Sequence, residues 1–160
     1  MEDDTPIDED RYRARFYIDT NGFDPGEASG AHRTRTFIVF EEAPTRRLAA
    51  VVLKRQGGVY SIEGRCRTDS GAQADTGFFT ISGGPHVVEI DWKRSSSALA
   101  SDGTFELWID GVSRAQLTGL SNSVSSVDFV RLGALSVKPG ANGTLFWDEF
   151  ESRRISFIGN

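Results

Sequence analysis

Cysteine, histidine and methionine are almost missing from this chain: one Cys, two His and one Met among 160 residues. A single cysteine excludes an internal disulfide. Cys66 sits in YSIEGRCR in phase with Tyr60 and Ile62, so it reads as a small buried hydrophobe. His32 and His86 are far apart and have no partners at ligand spacing, which argues against a zinc site. The chain has no Gly-x-Ser-x-Gly elbow, so no serine-hydrolase motif is present. No apolar run approaches the ~18 residues of a membrane helix. The opening MEDDTP has neither the basic nor the apolar region of a signal peptide. Segments with helical period are lacking as well.

Positive charge is lacking only at the start. Residues 1–10 (MEDDTPIDED) carry six acids and no base, so the net charge of −5 becomes +1 for the remainder. That stretch reads as an acidic flexible leader. A near-neutral body gives no electrostatic reason to expect nucleic acid, or insertion into a membrane, as a partner.

What is abundant is glycine, at 17, and phenylalanine, at 11. Together they suit many strands joined by tight turns. The clearest stretch is 86–111 (HVVEIDWKRSSSALASDGTFELWIDG). Val88, Ile90 and Trp92 alternate with Glu89, Asp91 and Lys93; Phe105, Leu107 and Ile109 alternate with Glu106, Trp108 and Asp110. A period of two puts each set on its own face of a strand. The same alternation appears in RYRARFYID at 11–19. Runs at 36–40 and 48–53 are apolar on both phases, as central strands are. Gln56-Gly57-Gly58 turns into a strand at 59–68, and further strands are expected at 77–81, 127–135 and 144–151. About ten strands at 8–12-residue spacing predict an all-β fold. The expected architecture is a two-sheet antiparallel jelly-roll sandwich, with one domain over 11–160.

The succession RYRARFYID, LKRQGGVYSI, HVVEIDWK, GTFELWIDG, VDFVRLGAL and GTLFWDEFESRR resembles the concanavalin A-like lectin/glucanase superfamily. More narrowly it is similar to laminin-G-like jelly-roll modules of bacterial surface and secreted proteins. The resemblance covers nearly all of 11–160, and ELWIDG and WDEFESRR are its most specific parts. It implies an extracellular or cell-surface setting, as a module of a larger exported protein, and often carbohydrate binding.

Within that superfamily, retaining glucanases carry Glu-x-Asp-x-x-Glu on one strand, which sets a nucleophile and an acid about 5 Å apart across the sugar bond. Glu89 and Asp91 match the first two positions. Lys93 or Arg94 falls where the second Glu belongs, and a base there cannot protonate a leaving group. The chain is therefore expected not to be an enzyme.

Two other constellations carry chemistry. Asp19, Asn21 and Asp24 crowd oxygen side chains around Gly22, a loop able to offer hard ligands to a structural Ca²⁺. Asx turns produce the same sequence. The resemblance adds Asp148, in the last strand, as a fourth ligand. The second constellation is aromatic. Trp108 is out of phase with the core set and shares a side with Glu106 and Asp110; Trp147 lies opposite Phe146 and Phe150. A tryptophan flanked by carboxylates is equipped to stack on a pyranose and accept its hydroxyls. Trp108, Glu106, Asp110 and Trp147 are thus the expected carbohydrate-binding residues. The arginines Arg11, Arg13, Arg15, Arg65 and Arg67 are expected to pair with Glu63, Glu41 and Glu42. Asn142-Gly143-Thr144 matches a glycosylation sequon and equally a plain turn.

Two functions follow as expectations: a non-catalytic module binding a glycan, or an assembly domain making protein contacts only. The second would use a sheet edge or the tail 152–160 for self-association. Ile155 and Phe157 in that tail are expected to lie against 11–19 or on another molecule.

Overall fold

The computed structural model describes residues 1–159. Twelve strands follow one another: β1 (Glu2–Asp3), β2 (Arg11–Asp19), β3 (Arg33–Glu41), β4 (Arg46–Gln56), β5 (Val59–Arg67), β6 (Gln73–Asp75), β7 (Phe79–Ile81), β8 (Pro85–Lys93), β9 (Gly103–Ile109), β10 (Val112–Leu120), β11 (Phe129–Leu135) and β12 (Phe146–Arg153). The described residues contain no α-helix, only a 3-10 turn at Glu27–Ser29, and no helix long and apolar enough to cross a membrane. All pairings are antiparallel. One sheet runs β1-β11-β3-β4-β5-β6, with β7 also on β5; the other runs β10-β9-β8-β2-β12. The result is the expected all-β two-sheet jelly-roll sandwich.

Alternation decides what lies between the sheets. Tyr12, Ala14, Phe16 and Ile18 of β2, Val88, Ile90 and Trp92 of β8, and Phe105, Leu107 and Ile109 of β9 meet Phe37, Val39, Leu48, Val51, Leu53 and Ile62 of the larger sheet. Each Val, Leu, Ile or Phe among them contributes roughly 1.5–3 kcal/mol on burial. Cys66 joins this core, and burial there pushes its thiol up to about 12. At Gly64 the sheets come so close that a Cβ would run into the Phe105 ring.

Both tight hairpins follow from their turn residues. Gly57-Gly58 and Asp110-Gly111 have positive φ at both central positions, as a type I′ connection requires. The second launches β10. This strand's sequence, VSRAQLTGL, has no clean apolar alternation because it is a sheet edge, exposed at most positions.

Residues 1–10 differ from the expected flexible leader. β1 adds to the free edge of β11, with Glu2 opposite Arg131 and their side chains 2.6 Å apart. The N-terminal ammonium donates to the Leu132 carbonyl at 2.9 Å, Glu9 and Val127 exchange backbone bonds, and Pro6 is buried. The segment's acids meet basic residues of the body: Asp10 pairs with Arg94 and Glu9 with Arg154. Composition alone does not show an edge that needs covering.

Candidate functional site on the outer face of the smaller sheet

The outward phase of β2 presents Arg11, Arg13, Arg15 and Tyr17. β8 sets Lys93, Asp91, Glu89 and Val87 directly opposite them, and β9 sets Glu106 and Trp108 beside Asp91 and Glu89. Arg11 grips Asp91 with two bonds of 2.9 and 2.6 Å, while Arg13 reaches Asp91 at 2.7 Å and Glu89 at 3.3 Å. These are the partners of Arg11 and Arg13, and Glu149 is that of Arg15, in place of the expected Glu63, Glu41 and Glu42. Those three acids belong to the other sheet or its loops, where Glu63 holds Arg65 and Glu41 holds Arg46. Register, invisible in a single sequence, makes the choice.

The tail explains why so charged a face is buried. Beyond β12 the chain crosses this sheet, and the backbone N–H groups of Ile158 and Gly159 donate to the two oxygens of Glu89, each at 3.2 Å. Phe157 packs on Trp108 with centroids 5.6 Å apart, and the Arg13 guanidinium lies 5.3 Å from the Trp108 ring and 5.4 Å from that of Phe157. Ile155 remains exposed. The tail therefore lies on its own sheet; its last residue, Asn160, falls outside the described residues.

The expected sugar-binding residues are consequently not one site. Trp108 does face outward with Glu106, but Phe157 leans on it, and Glu106 accepts from Ser113 at 2.6 Å and Gln116 at 3.2 Å. Asp110 sits in its turn, accepting from the Val87 N–H at 3.0 Å and lying 2.8 Å from His86 Nδ1. Trp147 requires a correction: it is paired with buried Ile18, so it points inward and packs on the core. The outward place belongs to Phe146, opposite Asp19. A bulge at Glu149, where φ is 49°, shifts the phase of the strand.

At the open end of the face, past the tail, lies a hollow of about 530 Å³ lined by Tyr17, Asp19, Pro85, Phe146, Trp147, Asp148 and Glu149. Phe146 is 53% exposed. Arg15 borders the hollow, its Nη2 3.4 Å from the Tyr17 hydroxyl and 3.5 Å from Glu149, with its guanidinium 5.4 Å from the Tyr17 ring. Of the residues gathered here, Tyr17, Phe146, Arg15 and Glu149 were not anticipated as a site. The outward phase of Tyr17 in RYRARFYID is the one signal that points to it.

The four calcium candidates are not brought together. Asp19 and Asp148 line the hollow, but each accepts a nearby backbone N–H, from Asn21 and Glu149 respectively. Asp24 turns away: it accepts from the Gly26 and Glu27 N–H groups at 2.8 Å and faces Arg55 at 3.6 Å. Those two N–H groups, Glu27 first, hold the Asp24 carboxyl below the usual range. Asn21 is an exposed left-handed turn residue. Among the described residues no group of three or more His, Cys, Asp or Glu side chains could hold a metal. Turn capping, the other reading of the loop, accounts for its polar side chains.

No protein-family model matches the chain, and no curated protein sequence does. Solved structures do. An endo-β-1,4-glucuronan lyase from Trichoderma reesei superposes with a TM-score of 0.64 at 13% identity, covering 94% of this chain and 71% of the lyase. The T. cruzi calreticulin globular domain gives 0.61 at 11%, covering 95% and 66%. An alginate lyase from Pseudomonas aeruginosa gives 0.58 at 10%, covering 92% and 66%. The fold is the concanavalin A-like jelly roll. At these identities the likeness is one of fold, and this chain spans about two thirds of the length of two of these proteins. The likeness nevertheless corrects one expectation. Lyases match more than nine-tenths of the chain, so the scaffold hosts enzymes. The missing second glutamate after Asp91 rules out one glucanase arrangement and does not make the chain a non-enzyme.

Proposed function

We propose that this domain recognises a carbohydrate in the hollow beside Tyr17, at the cell surface or outside the cell. The observation that carries the reading is the pairing of an exposed aromatic, Phe146, and Tyr17 with the carboxylates of Asp19, Asp148 and Glu149 in one open concavity. Rings stack on the apolar faces of sugars, and carboxylates accept hydroxyl hydrogen bonds. A glycan array probed with the wild type and with Phe146→Ala and Tyr17→Ala tests it. Retention of a glycan by the wild type, weakened at least tenfold in both variants, is the expected result. No retained glycan, or equal retention by all three proteins, overturns it.

A second reading goes further, and the Arg15–Tyr17 pair favours it. A guanidinium is a partner for the carboxylate of a uronate sugar, and a phenol 3.4 Å away is a group able to carry a proton. The named lyases of the same fold act in that chemical neighbourhood. Incubation with glucuronan or alginate, followed by ultraviolet absorbance for an unsaturated product, checks this reading. Absence of product with every uronate polymer tried removes it and leaves recognition standing.

A further inference from the structure

The outer face of the larger sheet carries a different chemistry. Arg35, Arg47, Arg65 and Arg67 surround a shallow hollow floored by Ala50, and an adjoining hollow shares Arg35 and Arg65 and adds Arg33 and Lys138. The six cations come from β3, β4, β5 and the loop after β11, so they meet only in the fold. Two carboxylates face them across this surface. Glu63 is buried and held by Arg65, and Asp75 stands opposite Arg65 in register, accepting from Gln73. Among the described residues the other five cations have no carboxylate within 4 Å. Arg35 donates instead to the Ser136 hydroxyl at 2.9 Å, and Arg67 to the Gly71 carbonyl at 2.7 Å.

We infer that this face is a second binding site, and that its ligand is a sulfated polysaccharide. Five of the six cations are arginines, whose forked donors suit oxyanions. Their spread over two adjoining hollows fits a chain with repeated charges better than a single ion. Six cations against two carboxylates leave an excess of four positive charges on one face, and sulfate esters offer each forked guanidinium several acceptor oxygens at a charge density that a polymer with one carboxylate per sugar does not reach. Nucleic acid fits less well: neither hollow has an aromatic ring on which a base could stack. Burial first, and then Arg47, Arg65 and Arg67, lower the basicity of the Arg35 guanidinium, so like charges already repel here and an anion relieves them. The site is on the opposite sheet from the Tyr17 hollow and stands or falls separately.

The test measures binding of the whole chain to immobilised dextran sulfate over a range of NaCl concentrations. Neutral dextran, alginate and single-stranded DNA serve as comparators. Arg47→Glu/Arg67→Glu should weaken binding at least tenfold and reduce the slope of log K against log salt by about two, one for each lost contact. Arg114→Glu, at an exposed position of β10 on the other sheet, should change neither. A milder pair, Arg47→Gln/Arg67→Gln, with unchanged melting temperature, keeps the comparison valid where charge reversal disturbs folding. Equal binding by wild type and the glutamine pair overturns the site. Equal or tighter retention of alginate or DNA that the glutamine pair weakens overturns the assignment of its ligand, whereas alginate retained equally by the glutamine pair belongs to the Tyr17 hollow.

Discussion

Asp91 and Arg13 lie side by side on adjacent strands with oxygen and nitrogen 2.7 Å apart, and both are more than nine-tenths buried on what is nominally the outer face of a sheet. Such a pair adds little net stability relative to apolar residues of the same size, but losing one member strands the other's charge. Asp91 also receives both bonds of Arg11. Asp91→Ala should therefore destabilise the fold by about 3–5 kcal/mol in urea denaturation. A loss below about 1 kcal/mol would mean that water reaches Arg13 and that the tail does not seal this face.

Close approach of the two sheets makes a second position intolerant. Gly64 lies over the edge of the Phe105 ring, with Phe105 fully buried. Gly64→Val would force the ring from its place, and overpacking of this kind costs typically 1–3 kcal/mol. Gly64→Val with Phe105→Leu should recover part of that loss, since the smaller side chain vacates the space. Failure of the second change to compensate would place the strain in the β5 backbone instead.

How much of this was legible depended on whether the determining interaction was local. Alternation in 86–93 and 103–109 named the set that lies between the sheets, because the face a strand residue takes depends only on the period, but it did not show that Glu89 and Asp91 on the other face are buried as well. The same reasoning set Trp108 outward and Trp147 wrongly outward. One bulged residue, Glu149, separates Trp147 from the end of its strand, and a pattern of acids and aromatics on both sides conceals it. Arg65 does pair with Glu63 as expected, but the partners of the β2 arginines were misassigned for a related reason: Arg13 is 76 residues from Glu89, and only sheet order brings them together. The Tyr17 hollow combines β2, the turn into β8 and β12, so no local stretch contains it.

Acid should unfold the protein partly through Asp102. The Ser96 N–H, 2.7 Å from Asp102 Oδ1, and the Ser95 hydroxyl, at 2.9 Å, pull this carboxyl to about 2 from an ordinary 3.8. A folded-state pKa below the unfolded one stabilises the fold fully above the unfolded value, and that contribution fades as pH falls through the folded one. The melting temperature should thus drop between about pH 4 and pH 2, more steeply in the wild type than in Asp102→Asn. Parallel curves for the two proteins through that window would show that the loop at 94–102 opens before acid reaches it.

The tail offers the most direct reading of the charged face. Phe157 is still 48% exposed while it touches Trp108, so its contact rests on the ring pair and on Arg13, which lies beside both rings. An aromatic pair is worth about 0.5–1.5 kcal/mol beyond its buried area, and an exposed cation–π contact about 0.5–1. Phe157→Ala should therefore cost roughly 1–2 kcal/mol on these same figures. Trp92 is wholly buried and half-buried Trp147 borders the Tyr17 hollow, whereas Phe157 touches Trp108, so a change in tryptophan emission on removing the tail reports chiefly on Trp108. Removing residues 155–160 should shift that emission to the red and make it accessible to iodide, while the sandwich beneath stays folded. The Glu89 carboxylate, losing the two N–H groups of 158 and 159, would then face solvent beside Arg13. An emission spectrum unchanged by the truncation would mean that Trp108 is already open to water in the full chain, and that the tail does not cover it.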